Sequence, residues 1–448
     1  MTPAHVRIGL LGCGNVGAAL VDLVEGRQDA IAARTGVRLE IARVAVRSLT
    51  KERAVEVPDG VLTLDAAGVV VDPGIDVVVE VMGGIEPARE LVLAALKAGK
   101  PVVTGNKELL ANVGAELFAA AEEAGVDLLF EAAVAGGIPF IRPLRESLAG
   151  ERIRRIMGIV NGTTNYVLTR MTEAGASYAD ALAEAQRLGY AERDPTADVE
   201  GHDAAAKAAI IASIAFGVRV VAGDVYDEGI SRITTADIDY AAKMGYAVKL
   251  LAIAERDDRP PGDAAGLDDE VAVRVHPAMV PADHPLASVR DGFNAVFVEG
   301  AAVGELMFYG RGAGGAPTAS AVLGDVIDAA LNRARGGHAS IGVLAKARLR
   351  SIDELESAYY LNLDVRDRPG VLAAVAGVFG SHDVSIRSME QEGLGSEARL
   401  VFITHVAREA AVRATIRDLH QLDAVDRITS VLRVVAPAGD AAGAGGRR

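Results

Sequence analysis

The sequence predicts an α/β protein in three parts: a doubly wound parallel sheet, a mixed α+β unit and a compact βαββαβ unit. Three observations predict it. In the first third, short apolar runs alternate with helical periodicities, as in parallel strands buried between helices. Between roughly 150 and 310, long helices give way to strand-like runs. From 359 to 434 the order reads strand, helix, strand, strand, helix, strand, which suits a small ferredoxin-like domain.

Taken in order, residues 5–11 form an apolar strand running into glycines, 16–34 a helix stopped by Gly36, and 39–46 a second strand. Residues 77–81 and 101–104 are β-branched strands with helix 87–98 between them; helix 111–124 leads into strand 126–131. The middle opens with strand 154–160 and continues through helices 177–188 and 202–216. Strand-like runs follow at 271–276, 295–299 and 305–309. Residues 255–270 are polar and rich in Pro and Gly, a surface loop. Pro317 opens an Ala-rich helix, 317–333. The expected partition is 1–150 plus about 315–345 for the first domain, 151–314 for the second and 357–435 for the third. Residues 340–356 form a connector, and 436–448 lack periodicity and are expected to be disordered.

Composition narrows the function. Half of the 448 residues are hydrophobic, enough for several cores. A formal net charge of −15 opposes binding to nucleic acid and anionic lipid. Cys13 is the one cysteine, which excludes a disulfide framework and a cysteine metal cage and favours a reducing compartment, the cytoplasm. Residues 4–11 read as a strand rather than as part of a signal peptide, and the apolar stretch 208–218 is too short to span a bilayer.

Gly12, Gly14 and Gly17 form G-x-G-x-x-G between the first strand and the first helix. That placement permits a tight turn, close approach to a pyrophosphate and attraction of its charge by the helix N-terminus, the Rossmann-type pattern. The second strand ends Ala45-Val46-Arg47-Ser48, with no carboxylate for a ribose 2′-hydroxyl. Arg47 is instead placed to pair with a 2′-phosphate, so NADP is favoured and NAD is possible. Cys13 lies inside the glycine loop, away from where a thiol would have to meet a nicotinamide. This disfavours aldehyde oxidation to an acyl product and favours reduction of a carbonyl to an alcohol.

Residues 188–207 are dense in charge and then become an apolar helix. Asp203 and Lys207 share one face of it. Glu192, Asp194 and Asp198 lie just upstream; carboxylates suit a substrate ammonium, and a positioned lysine can protonate an alkoxide. The turn Asn161-Gly162-Thr163-Thr164 either caps a helix or contacts substrate. Lys107 follows a strand end of the first sheet, where ligands bind in open α/β folds.

These segments resemble the homoserine dehydrogenase family. The carriers are GLLGCGNVG at 9–17, EVMGGIEPA at 80–88, VTGNKELLA at 103–111, EAAVAGGIP at 131–139, NGTTNYVL at 161–168, LGYAERDPTADVEGHDAAAK at 188–207, VHP at 275–277 and FYGRGAGGAPTASAVLGD at 308–325. The resemblance implies reversible NAD(P)-dependent interconversion of L-aspartate 4-semialdehyde and L-homoserine, in threonine, methionine and isoleucine biosynthesis. It implies Lys207 as proton donor and acceptor, with Lys107 its partner, and Glu192, Asp198 and Asp203 as homoserine-binding acids. Cofactor contacts implied beyond the three glycines are Asn15, Val16, Arg47, Thr104, Lys107 and Gly312. A monovalent cation, usually sodium, is implied at Glu131, Val134, Gly136 and Ile138; a hard cation takes oxygen ligands, and a Gly-rich turn bares carbonyls.

Residues 359–434 resemble an ACT domain through Asp364-Val-Arg-Asp-Arg-Pro-Gly-Val-Leu372 and Val384-Ser-Ile-Arg387. This implies an amino-acid effector, threonine first, and a homodimer or homotetramer. A purely structural assembly module is the plainer reading of that domain. An amino-acid-responsive binding protein on an inactive dehydrogenase scaffold is the other reading of the whole chain; the intact Lys107, Glu192, Asp203 and Lys207 favour the enzyme.

Overall fold

The structure, a computed structural model, describes residues 4–256, 270–342, 344–346, 348–393 and 397–435. The expected loop at 255–270 lies mostly outside the described residues, and the expected disordered tail, 436–448, entirely so.

The first unit is a six-stranded parallel sheet of β1 (Ala4–Leu11), β2 (Val37–Ala45), β3 (Leu62–Thr63), β4 (Val77–Glu80), β5 (Val102–Thr104) and β6 (Leu128–Leu129), in the order β3-β2-β1-β4-β5-β6. The strand order reverses beside β1, which opens a crevice at its C-terminal end. All residues of β4 and β5 are buried: the valines lie between two helical layers, and the polar ends, Glu80 and Thr104, bond to each other. The helices are α1 (Asn15–Thr35), α2 (Ala66–Val71), α3 (Ala88–Lys97) and α4 (Lys107–Ala124). Asn106 caps α4 by accepting from the Leu109 amide, so Lys107 is its first helical residue and the sequence-based start at 111 falls one turn late. A late helix, Gly315–Arg335, returns to this unit: Ala319, Val322 and Val326 share a core with Leu10, Leu20 and Val79.

The middle unit carries α5 (Ile141–Arg145), β7 (Ile153–Ile159), α6 (Gly162–Ala174), α7 (Tyr178–Arg187), α8 (Thr196–Val199) and α9 (His202–Phe216). Its sheet includes β7 and four further long strands, Tyr246–Arg256, Glu270–Pro281, Phe293–Gly300 and Gly304–Arg311, joined antiparallel. The central strand Tyr246–Arg256 is absent from the sequence reading. Its apolar run is interrupted by Lys249, which is buried and donates to the Asn165 side chain at 3.2 Å and to the Val289 carbonyl. Helix Thr235–Lys243 also went unread.

The C-terminal unit has the expected strand and helix order: Glu356–Arg366, Val371–Ser381, Ile386–Gly393, Glu397–Thr404, Glu409–Leu419 and Val425–Val434. It is not an appended bead. Its last strand runs parallel to Glu270–Pro281, with Ala278 opposite Arg433 and Met279 opposite Val434, so one sheet passes through both units. The connector is also pinned, because Ala345–Lys346 pairs with Val218–Arg219 and Arg348–Leu349 with Glu270–Val271. Buried Asp237 fastens the seam. It accepts from Tyr360 (3.1 Å), Asn362 (3.2 Å) and Ser430 on one oxygen and from its own helix cap, Thr234, on the other.

Candidate active site

At the end of β1, Gly12 has φ +100°, and a Cβ there would lie 2.9 Å from the Val81 carbonyl oxygen. A Cβ on Gly17 would lie 2.2 Å from the Gly12 oxygen, which forces α1 against the turn. Gly14 has no atom within 4 Å of its Cβ position and no side-chain cap above it. The first amides of α1 are thus uncapped beside an open Gly14, a ready place for pyrophosphate. Asn15 is exposed there and Val16 half-buried.

Arg47 is exposed beyond β2 and has no ion-pair partner among the described residues. Sequence reasoning missed Arg53, which folds back to donate to the Ser48 carbonyl and, at 2.7 Å, to the Lys51 carbonyl. Burial pushes the Cys13 thiol up, and the Arg53 guanidinium beside it pulls the other way. No local spacing announces this contact. Thr104 is fully buried, and its hydroxyl donates to Glu80 at 2.6 Å. Any cofactor contact from Thr104 would fall to its backbone.

Across the crevice, α9 opens with Gly201 at φ +91°, and Asp203 stands in its first turn, where the helix dipole favours a negative charge. Lys207 lies one turn on, with Nζ 2.7 Å from Asp203 Oδ2 and 2.6 Å from the Val160 carbonyl. Lys107, brought from the first unit by α4, places Nζ 2.6 Å from Asp203 Oδ1. Burial works against the Asp203 charge, yet the two ammonium groups hold its carboxyl well below the usual carboxylate range. Burial likewise opposes the Lys107 charge, and Asp203 overcomes it, raising the ammonium's pKa. Asp198, at the end of α8, is pushed up mainly by burial, with an Asn161 hydrogen bond of 2.7 Å working against the shift.

Lys107, Asp198, Asp203 and Lys207 thus converge. The Glu192 carboxylate is exposed, and among the described residues no hydrogen bond or ion pair reaches it, so it is free for a ligand. Its loop is tied back where Thr163 donates to the Tyr190 carbonyl at 2.6 Å and the Tyr166 and Tyr190 rings stack 4.6 Å apart.

The turn after β6 supplies oxygen atoms. Buried Glu131 accepts from the amides of Phe140 (2.5 Å), Ile141 (2.6 Å) and Arg142 (2.8 Å). Ala135 and Gly136 both have φ +56°, and none of the backbone hydrogen bonds of this turn ends on the carbonyls of Val134, Gly136 or Ile138. Those three carbonyls and the one-bond oxygen of Glu131 are oxygen atoms of the kind a hard monovalent cation takes, while among the described residues no group of three or more His, Cys, Asp and Glu could hold a metal ion. The turn also meets the 310–315 loop closely. A Cβ on Gly136 would lie 2.2 Å from the Gly312 oxygen, and one on Gly312 would lie 2.0 Å from the buried Asn294 amide. Gly312 is therefore held beside the crevice from the far side.

Three family profiles match: "Homoserine dehydrogenase, NAD binding domain" at residues 12–131, "Homoserine dehydrogenase" at 139–327 and "ACT domain" at 359–424. The homoserine dehydrogenase of Corynebacterium glutamicum is 53% identical over 96% of this chain and 95% of its own length. That of Bacillus subtilis is 41% identical, covering 96% and 98%. A crystal structure of a homoserine dehydrogenase from Thiobacillus denitrificans superposes with a TM-score of 0.89 at 42% identity, covering 96% of this chain and 98% of the other. A hyperthermophilic archaeal homoserine dehydrogenase solved in complex with NADPH matches at a TM-score of 0.61 and 30% identity, covering 73% and 98%.

Proposed function

The chain belongs to the homoserine dehydrogenase family, NAD(P)-dependent oxidoreductases acting on a CH–OH group, and from that premise we propose how its own residues divide the work. The observation that carries the assignment is the Asp203 carboxylate bridging Lys107 and Lys207 at 2.6 and 2.7 Å. Two of the three Lys207 N–H bonds are spent on Val160 and Asp203. The third is left for the substrate oxygen, so Lys207 donates the proton as L-aspartate 4-semialdehyde becomes L-homoserine and takes it back in reverse. Lys107 adds positive charge beside the developing alkoxide. Asp198 and Glu192, each with carboxylate oxygens to spare, hold the substrate ammonium, and Asp203 orders the lysines.

A bound nicotinamide cofactor supplies or accepts the hydride. Gly12, Gly14, Asn15, Val16 and Gly17 would hold its pyrophosphate end, Thr104, Lys107 and Gly312 the other. The free Arg47 guanidinium supports NADP as the preferred form. Glu131 with the carbonyls of Val134, Gly136 and Ile138 would hold a sodium ion, fixing the turn against the Gly312 loop.

The C-terminal unit is read as the seat of feedback by an amino acid, threonine first. A groove lined by Arg366, Asp367, Gly370 and Gln391 supports this, since Gly370 opens an 11-residue helix with no side-chain cap and its amides suit a carboxylate. The pathway assignment to threonine, methionine and isoleucine synthesis, the homodimer or homotetramer and the cytoplasmic location follow from the same reading. Among the described residues no helix is long and apolar enough to cross a membrane.

The test is a steady-state assay with homoserine and each cofactor, for wild type and Lys207→Ala. The variant is expected to lose about 10²–10⁴-fold in kcat while its Kd for NADPH holds. Near wild-type turnover would reject the role of Lys207.

A further inference from the structure

We propose that Asn161 is a positioning residue for substrate binding: its single carboxamide holds Asp198 and Asp203 side by side and leaves one oxygen of Asp198 aimed at the substrate ammonium. This rests on the reading that these acids face the substrate.

The residue sits at the junction of β7 and α6 and is buried. Its Oδ1 accepts from the Thr164 amide at 2.9 Å and the Thr164 hydroxyl at 3.0 Å. A backbone amide only donates, so the carboxamide has one sensible orientation, with its NH2 away from Thr164. That NH2 has two hydrogens, and both are used: Nδ2 lies 2.7 Å from Asp198 Oδ1 and 2.8 Å from Asp203 Oδ2. The preceding carbonyl, of Val160, receives Lys207. One short stretch of backbone therefore fixes the catalytic lysine and two acids.

Two half-buried or buried carboxylates brought this close would separate or share a proton. Asp203 is secured by two ammonium groups and Asp198 by none, so Asp198 is the one at risk. Burial and the Asp203 charge push its carboxyl up, and Asn161 acts against both. Its Oδ2 has no hydrogen bond among the described residues, which leaves it for an incoming ammonium. Without the Asn161 NH2, Asp198 takes up a proton at higher pH and loses the charge that binds substrate.

Asn161 also caps α6, and the test separates the two tasks. Ser and Asp are both good caps, and neither offers two N–H donors. Asn161→Ser is expected to raise the homoserine KM about 10- to 100-fold, the usual effect of losing a hydrogen bond to a charged group. The acid limb of kcat/KM moves to higher pH, while the NADPH Kd, read by fluorescence, is unchanged. Asn161→Asp, which adds a third carboxylate, is expected to move that limb further, and it supplies the answer if the Ser variant folds poorly. Wild-type KM and acid limb in a folded variant would overturn the proposal. Asp198→Asn serves as a separate arm: an unchanged homoserine KM there rejects the substrate role of Asp198 itself, and the proposal with it.

Discussion

Arg433, in the last strand, and Glu228, ahead of helix Thr235–Lys243, are locked in a two-pronged ion pair, with Nη1 3.0 Å from Oε2 and Nη2 3.1 Å from Oε1. The same guanidinium grips Glu409 of the C-terminal unit at 2.9 and 2.7 Å. On its other side the Glu228 segment leans on the residues that launch α9. The Ile230 amide donates to the Val199 carbonyl at 2.8 Å, and His202 meets Asp227 at 2.5 Å. A chain of ion pairs and hydrogen bonds thus runs from the C-terminal sheet to the helix bearing Asp203 and Lys207.

If effector binding reaches the site along this route, Glu228→Gln will weaken inhibition while leaving uninhibited kcat near wild type. Allosteric couplings commonly amount to about 5–150-fold in affinity. A threonine titration of activity, with calorimetry for binding, is expected to show a variant that still binds effector but responds at least about fivefold less. An unchanged response would place the coupling elsewhere.

Asp203→Asn should remove both turnover and a pH-dependent share of stability. The folded carboxyl lies below its ordinary value, so its stabilisation is complete above the unfolded carboxylate range, near pH 4, and fades as pH falls through the lower folded value. At pH 7 the variant is expected to be less stable by about 3 kcal/mol, since it leaves two lysines without their counter-charge. Denaturant melts at pH 7 and pH 3 check this: the gap between wild type and variant narrows at the lower pH.

Arg47→Asp should turn cofactor preference from NADP towards NAD by about tenfold or more, the worth of one charge-assisted contact. The ratio of kcat/KM for the two cofactors measures it. Arg53→Ala is the companion: a comparable fall in the ratio would add Arg53 to the 2′-phosphate site, and none would leave it as a loop fastener.

Ending the chain at Arg350 should yield a protein that aggregates or melts early. The cut strips strand Val425–Val434 from the edge of Glu270–Pro281 and uncovers the face packed by Tyr360, Ile403, Leu432 and Val434. Size-exclusion chromatography and a thermal melt beside the full chain decide this. A monodisperse fragment with the full chain's Tm would contradict the shared core.

Much of this was legible in the sequence because the signals are local. Glycine spacing located the turn at Gly12, and helical periodicity put Asp203 and Lys207 on one face. The βαββαβ order was readable because each element carries its own apolar pattern. What escaped depends on partners distant in sequence. The buried Lys249 is tolerated because Asn165 and Val289, distant in sequence, satisfy it, whereas in the sequence alone it interrupts the apolar run of a central strand. Asn161 has a local role as a cap and a distant one as a bridge, and spacing speaks to the first alone.

The continuous sheet sealed by Asp237 has a bearing on chimeras. A sensor cassette from another protein cannot be spliced on at the connector and be expected to report to the enzyme. The graft would have to bring an edge strand in register with Ala278 and Met279, and donors in place of Tyr360, Asn362 and Ser430 to meet the Asp237 carboxylate.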